Sequence, residues 1–207
     1  MPTAEVRWLF DGPVHADIEH WFRRGGLAST ATPREDHYVL FPAALGLNLK
    51  LREGRLEIKS LVRTPGPRTF AGDAAGTVQL WEKQTHGDNA VAAFERLRTN
   101  APHLWITVRK ERTLRKFAPD GDSMKEVAAG TGVLSEGCNV ELTKIRANGS
   151  DYWSFALEAF GEPSRVEQHV QRVGGIVLAD QRRPSHSFPA GNSRSYPEWL
   201  ERFAKND

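Results

Sequence analysis

The chain has 207 residues, 39% hydrophobic and 26% charged, which fits one folded domain with a sizeable core and excludes a disordered, fibrous or membrane-spanning chain. Twenty-eight Lys and Arg against 26 Asp and Glu leave a formal charge of +2, too balanced for a protein that grips nucleic acid by neutralising phosphates. The single Cys138 excludes an internal disulfide and a Cys-based zinc cluster; with no signal-peptide-like segment and no apolar run near the roughly 20 residues of a membrane helix, a cytoplasmic protein without a membrane partner is expected.

Period-two alternation opens the chain with a strand over 5–10, setting Val6, Trp8 and Phe10 against Glu5 and Arg7. Asp11-Gly12-Pro13 ends it, and helical spacing follows over 14–22. After a loop from Gly25-Gly26 to residue 35 come strands over 38–41, 47–52 and 56–61. Residues 64–76, with their Pro-Gly-Pro, read as a loop before a strand over 78–83. A helix over 89–98 with Asn89 as N-cap, a strand over 104–112 and a loop over 119–137 continue the series. Strands over 140–145 and 152–160 bring the count to eight, the commonest number for a small closed barrel. Helices over 164–173 and 195–203 each open with a capping box, Ser164/Glu167 and Ser195/Glu198. Between them, residues 181–195 form a loop tether to the last helix rather than a link between domains, so 1–207 reads as a single domain.

Asn148-Gly149 between two alternating runs predicts a two-residue type I′ hairpin turn, a better reading of Asn148-Gly149-Ser150 than a glycosylation acceptor. That turn pairs Ala147 with Ser150, Thr143 with Ser154, Glu141 with Ala156 and Asn139 with Glu158, all on one face. Val140, Leu142, Trp153, Phe155 and Leu157 take the other face. Glu141 and Glu158 become diagonal neighbours, close enough to share a divalent cation. Around Glu53-Gly54 the pattern repeats: Asn48, Lys50, Arg52, Arg55, Glu57 and Lys59 oppose Leu47, Leu49, Leu51, Leu56 and Ile58. On the strand over 104–112, Ile106 and Val108 oppose Thr107, Arg109 and Glu111.

Two architectures give sheets one charged face. An open antiparallel sheet leaves its charges in water. A closed barrel with helices on its outside turns them into a lumen, as the strand count and the long Lys, Arg and Glu side chains suggest. The other chemistry-bearing residues read as structural: His15 and His20 do not share a helical stripe, Trp8, Trp21, Trp105, Trp153 and Trp199 occupy packing phases, and Cys138 reads as a small buried hydrophobe.

Leu49-Lys50-Leu51-Arg52, Leu56-Glu57-Ile58-Lys59, Val108-Arg109-Lys110-Glu111-Arg112, the Glu141 and Glu158 strands, and the closing Ser195-Tyr196-Pro197-Glu198-Trp199-Leu200 together resemble the CYTH family. This is the triphosphate tunnel superfamily that includes thiamine triphosphatases and class IV adenylate cyclases. The resemblance implies an α+β fold: an eight-stranded antiparallel closed β-barrel, a tunnel with a polar lumen and helices packed outside. It also implies triphosphate binding by Arg and Lys and divalent metal held by Glu. Lys50 and Arg52 resemble the family's basic pair, Glu57 and Lys59 the positions that follow, Arg109 and Arg112 its later basic cluster, and Glu141 and Glu158 its late metal-side carboxylates; Lys83 is a further basic lining residue. With Arg7 and Arg55 from the alternation, the expected ligand-binding set is Arg7, Lys50, Arg52, Arg55, Lys59, Lys83, Arg109 and Arg112. The expected set for Mg²⁺ or Mn²⁺ is Glu5, Glu57, Glu141 and Glu158. One departure stands at the start, where the family's Glu-x-Glu-x-Lys strand reads Glu5-Val6-Arg7-Trp8-Leu9. Arg7 replaces a carboxylate and Leu9 a lysine, changes that anion binding survives better than hydrolysis does. The expectation is a monomer or homodimer that binds a polyphosphate, nucleotide or other small phosphorylated anion, with metal-dependent triphosphate hydrolysis as a further expected activity. A non-catalytic sensor of the same fold and a structural domain without ligand are the alternatives.

Overall fold

The computed structural model describes residues 2–204, so residue 1 and residues 205–207 of the expected domain lie outside the described part. In chain order the elements are β1 (Pro2–Asp11), α1 (Ala16–Arg23), β2 (Ser29–Thr30), β3 (Arg34–Val39), β4 (Leu47–Arg52), β5 (Arg55–Ala71) and β6 (Ala74–His86). Then follow α2 (Asp88–Asn100), β7 (Trp105–Asp120), β8 (Ser123–Val127), β9 (Gly137–Ala147), β10 (Ser150–Phe160), α3 (Val166–Leu178) and α4 (Tyr196–Leu200). Strands β7, β3, β4, β5, β6, β1, β10 and β9 pair antiparallel in that order, and β9 pairs back onto β7. The result is a closed eight-stranded barrel. Short β2 and β8 extend the pairing of β7 beyond β3.

Two turns fix much of the register. Asn148 and Gly149 (φ 47° and 78°) and Glu53 and Gly54 (φ 47° and 69°) all take the left-handed conformation that a type I′ hairpin needs. Ala147 therefore faces Ser150, and Thr143, Glu141 and Asn139 face Ser154, Ala156 and Glu158, as the alternation predicts. Elsewhere the strands outrun their sequence signals. Residues 64–76 are not a loop but the far end of the β5–β6 hairpin, where Pro65 falls in the register shift between Arg63 and Gly66 and Pro67 stands opposite Thr77. Residues 119–137, also expected as a loop, contain β8, and residues 29–35 contain β2 and the start of β3. The Ser195/Glu198 capping box forms. The Ser164/Glu167 box does not: a tight turn from Glu162 to Arg165 precedes α3, and Glu167 is drawn away to Arg63 of β5. Gly87, not Asn89, occupies the N-cap position of α2.

Many outward positions of the barrel are apolar and covered. Val166, Val170, Val173 and Val177 of α3 pack with Ile18, Trp21 and Phe22 of α1 over Val6, Trp8, Val140, Phe155 and Leu157. The approach is close: a Cβ on Gly174 would lie 2.3 Å from the Phe70 ring and 3.1 Å from Leu157. Val91 and Phe94 of α2 cover Leu49, Leu51, Leu56 and Ile58. No helix among the described residues is long and apolar enough to cross a membrane.

The wall has one seam. β1 pairs with β6 only through Pro2–Glu5, and residues 188–195 occupy the gap beyond. Ala75 N–H donates to Phe188 C=O at 3.0 Å and Thr77 N–H to Ser193 Oγ at 2.9 Å on the β6 side; Arg194 N–H donates to Arg7 C=O and Asn192 Nδ2 to Leu9 C=O, both at 3.0 Å, on the β1 side. Glycine is required where the strands and this segment meet, because a Cβ on Gly76 would come within 2.8 Å of Val6, Trp8 and Ser193. From the seam the chain turns into α4, which caps one end of the barrel. Trp199 and Leu200 pack there with Leu9, Leu40, Ile106, Val108, Ile145 and Ala147, forming an apolar floor.

Candidate functional site

Above that floor the barrel encloses a cavity of about 170 Å³ lined by Glu5 and Arg7 of β1, Arg34 and Tyr38 of β3, Lys50 and Arg52 of β4, Glu57 and Lys59 of β5, and Lys83 of β6. Lys110 and Arg112 of β7, Glu141 of β9, Glu158 of β10, and Arg194, Tyr196 and Glu198 from the C-terminal segment complete the charged and phenolic lining. Nine cationic side chains thus face five carboxylates, and a sixth carboxylate, Asp36, lies fully buried behind them.

Each carboxylate is held by cations except Glu198, which is held by Ser195 and Gln79. Glu5 and Glu158 face each other across β1 and β10, and the Lys59 ammonium bridges them, donating to Glu5 and to Glu158 Oε1 at 2.9 Å. Burial would raise the Glu5 carboxyl, but Lys59 and Arg7 outweigh it and hold it low. Burial likewise opposes the charge on Lys59, yet Glu158 and Glu5 push its ammonium above the usual lysine range. Glu141 accepts from Arg112 Nη1 at 2.6 Å and lies 3.7 Å from Arg7, whose Nη1 donates to Ser154 Oγ at 3.1 Å. Glu57 meets Lys83 at 2.8 Å, Lys50 at 3.0 Å and Arg52 at 3.5 Å. Despite burial, Lys50, Lys83 and Arg52 lower its carboxyl to about 2.

Asp36 is the most heavily shared. Arg52 donates to it through Nε and Nη2, both at 2.6 Å; Lys110 lies at 3.2 Å, Arg34 at 3.6 Å, and the Tyr38 hydroxyl donates at 3.2 Å. Burial opposes ionisation of Asp36, but Lys110, Arg52 and Lys50 drive its carboxyl far below the usual range. Lys110 Nζ donates to Tyr38 Oη at 2.5 Å and sits 3.6 Å from the Tyr196 ring centroid. Fork-shaped guanidiniums and mobile ammoniums inside low-dielectric walls form a field suited to phosphate oxygens. The buried Nε atoms of Arg34 and Arg112 have no hydrogen-bond partner, the former lying 3.6 Å from Asp36.

The structure gathers Glu5, Arg7, Lys50, Arg52, Glu57, Lys59, Lys83, Arg112, Glu141 and Glu158 of the expected set into this one cavity. Arg55 and Arg109 do not belong to the lining. Arg55 is exposed beside the Glu53-Gly54 turn. Arg109 is exposed on the outside of β7, and the half-buried Glu111 on the same side meets Lys144 at 3.8 Å. The cause is that β7 faces inward through its even positions: Ile106 and Val108 enter the floor, and Lys110 and Arg112 follow them into the cavity. Lys110, Arg34, Asp36, Tyr38 and Tyr196 are therefore site residues that alternation alone passes over. Their signal lies in Arg34-Glu35-Asp36-His37-Tyr38, a charged run of period two hidden by the preceding Gly- and Pro-containing loop. Cys138 is buried, which pushes its thiol well above the ordinary range and leaves it inert.

Among the described residues no three His, Cys, Asp or Glu side chains converge as a metal-ligand group. The Glu5–Glu158 pair nonetheless fits a cation, because both carboxylates already share one positive centre, the Lys59 ammonium. Glu57 and Glu141 are instead engaged by two or three cations each.

No protein-family model and no curated protein sequence matches this chain. Among solved structures, it is similar to the PH1819 protein of Pyrococcus horikoshii OT3, with 14% identity, coverage of 95% of this chain and 97% of that one, and a TM-score of 0.49. The conserved hypothetical protein Pfu-838710-001 of Pyrococcus furiosus is 15% identical, with 94% and 98% coverage and a TM-score of 0.39. A functional reading rests on the cavity itself.

Proposed function

We propose that the barrel binds a small polyphosphorylated anion, a nucleotide or inorganic polyphosphate, in a CYTH-like charged cavity. The observation that carries this reading is the surplus of nine basic side chains over the five lining carboxylates and the buried Asp36 in one barrel cavity. Such a surplus inside low-dielectric walls costs free energy when the cavity is empty and is relieved by a multiply charged ligand. Arg112 carries an Nε without a hydrogen-bond partner in the lining, and Lys83, the most exposed of the ion-paired lysines lining the cavity, meets the ligand at the rim. Glu5 and Glu158 are the residues that would hold Mg²⁺ or Mn²⁺, displacing Lys59 toward the ligand. The metal would neutralise phosphate oxygens and complete its own shell with them and with water.

A second reading, hydrolysis of the terminal phosphoryl group of a triphosphate, is favoured by that Glu5–Glu158 pair. Calorimetric titration and thermal melting with inorganic tripolyphosphate, with and without Mg²⁺, test the binding. Because a ligand that binds only the folded state must raise stability, Tm should climb with ligand concentration. No shift and no heat at millimolar tripolyphosphate would reject the reading. Phosphate release with Mg²⁺ or Mn²⁺, abolished by Glu158→Gln, separates hydrolysis from binding alone.

A further inference from the structure

We infer that Lys110 sets the preference of this cavity for highly charged anions, taking up a proton when such an anion binds and giving it back when the anion leaves. The inference rests on the binding reading above. Asp36 is a single carboxylate with 0% exposure, yet Arg52 grips both its oxygens and Arg34 and Lys110 stand within 3.6 Å. From β1, Arg7 shares the Tyr196 ring with Lys110, at 4.8 Å against 3.6 Å. From β4, Lys50 approaches the Tyr38 ring that Lys110 also faces and has its own carboxylate, Glu57, at 3.0 Å, yet burial and Arg52 lower its ammonium to about 7 as well.

Guanidiniums do not give up their protons at any working pH, whereas an ammonium does. Tyr38 and Tyr196 are both pushed up, first by burial, and so stay neutral phenols. The cation surplus around Asp36 therefore bears on the two ammoniums, most directly on Lys110, which meets Asp36 at 3.2 Å and whose side chain is 3% exposed. Burial, opposed by Asp36 and reinforced by Arg52 and Arg7, lowers its ammonium to about 7. Phosphate oxygens entering the cavity reverse that balance and restore the proton. The gain grows with ligand charge, so a triphosphate benefits more than a monophosphate.

The sign follows from linkage. Below pH 7 the amine is already protonated and binding exchanges no proton there. Above it, binding takes up about one proton at Lys110, beside any taken up at Lys50, and affinity falls about tenfold per pH unit for each proton. Titration with tripolyphosphate at roughly pH 8, in buffers of different ionisation heat, reads the proton count. The wild type should take up about one proton more than Lys110→Arg, a difference that cancels protons exchanged by tripolyphosphate itself. Lys110→Arg should also have the flatter pH profile of affinity, and Lys50→Arg should keep the Lys110-linked proton. Equal proton counts and slopes in the wild type and Lys110→Arg overturn the inference. A second readout needs no ligand and no stable Arg variant: with ¹³C-labelled lysine, the Lys110 side-chain resonance, assigned by its loss in Lys110→Met, should titrate near 7 in the free protein. Titration in the ordinary lysine range rejects the proton switch even if tripolyphosphate binds. Normal titration near 7 with no tripolyphosphate binding rejects the ligand reading instead.

Discussion

The inward positions of one barrel build two opposite environments. On β1, Glu5 and Arg7 enter the charged cavity while Leu9 enters the apolar floor; on β7, Lys110 and Arg112 do the first and Ile106 and Val108 the second. The floor is dry packing around Trp199, where every side chain removed from water contributes. In the cavity, desolvation of each ion opposes the attraction between partners, so its ion pairs add little net stability. A lumen is thus defined by what faces it rather than by polarity, and net stability is concentrated at one of its two ends.

Breaking the floor should have the largest effect. Trp199→Ala is expected to cost about 3–5 kcal/mol of unfolding free energy, measured by urea denaturation, because the lost ring leaves a cavity among Leu9, Ile106 and Val108. Next comes Asp36→Asn, which removes the carboxylate shared by Arg52, Arg34 and Lys110. Its expected cost is about 3 kcal/mol, toward the lower end for a broken buried pair, since Lys110 can shed its proton in response. The pH dependence is smaller and graded. Glu57, lowered to about 2, and Asp36, lowered further, are protonated more readily in the unfolded chain, so their contribution is present above about pH 4.5. Thermal melts should show stability falling as pH drops from there toward 2. Arg112→Ala should weaken tripolyphosphate binding about tenfold with a modest change in Tm, the loss expected for one charge-assisted contact. Arg55→Ala and Arg109→Ala mark the null end of the series: both side chains are exposed outside the cavity, and neither Tm nor tripolyphosphate affinity should change measurably. A clear loss of binding in either would show that the ligand contacts more than the lumen.

These two environments also explain what the residues disclosed in advance. Asn148-Gly149 and Glu53-Gly54 force particular turns, and each turn transmits its register along two strands, so Glu141, Glu158, Lys50, Arg52, Glu57 and Lys59 could be set on one face. β7 has no such turn near Arg109. Its apolar Ile106 and Val108 look like an outward, helix-covered face, and only the presence of Trp199 inside the barrel makes them inward. That tertiary fact reverses the phase of the strand, expels Arg109 and admits Lys110. Arg34 and Asp36 were hidden differently: their strand follows directly on a loop, and too few alternating residues precede Tyr38 to announce it. The Ser164/Glu167 pair matched a helix start in spacing, but a long-range partner, Arg63, claimed Glu167.

The seam between β1 and β6 carries a consequence for how the chain folds. Leu9 C=O waits for Asn192, 183 residues downstream, and the backbone of Arg7 waits for Arg194. Neither bond can form while the intervening chain is still being made. Contacts so distant in sequence are reached late, after loop-closure entropy has been overcome. Without residues 188–195, the wall between β1 and β6 lacks its closure beside Val6 and Trp8. The floor, built around Trp199, and the last piece of the wall thus depend on the same stretch at the end of the described chain.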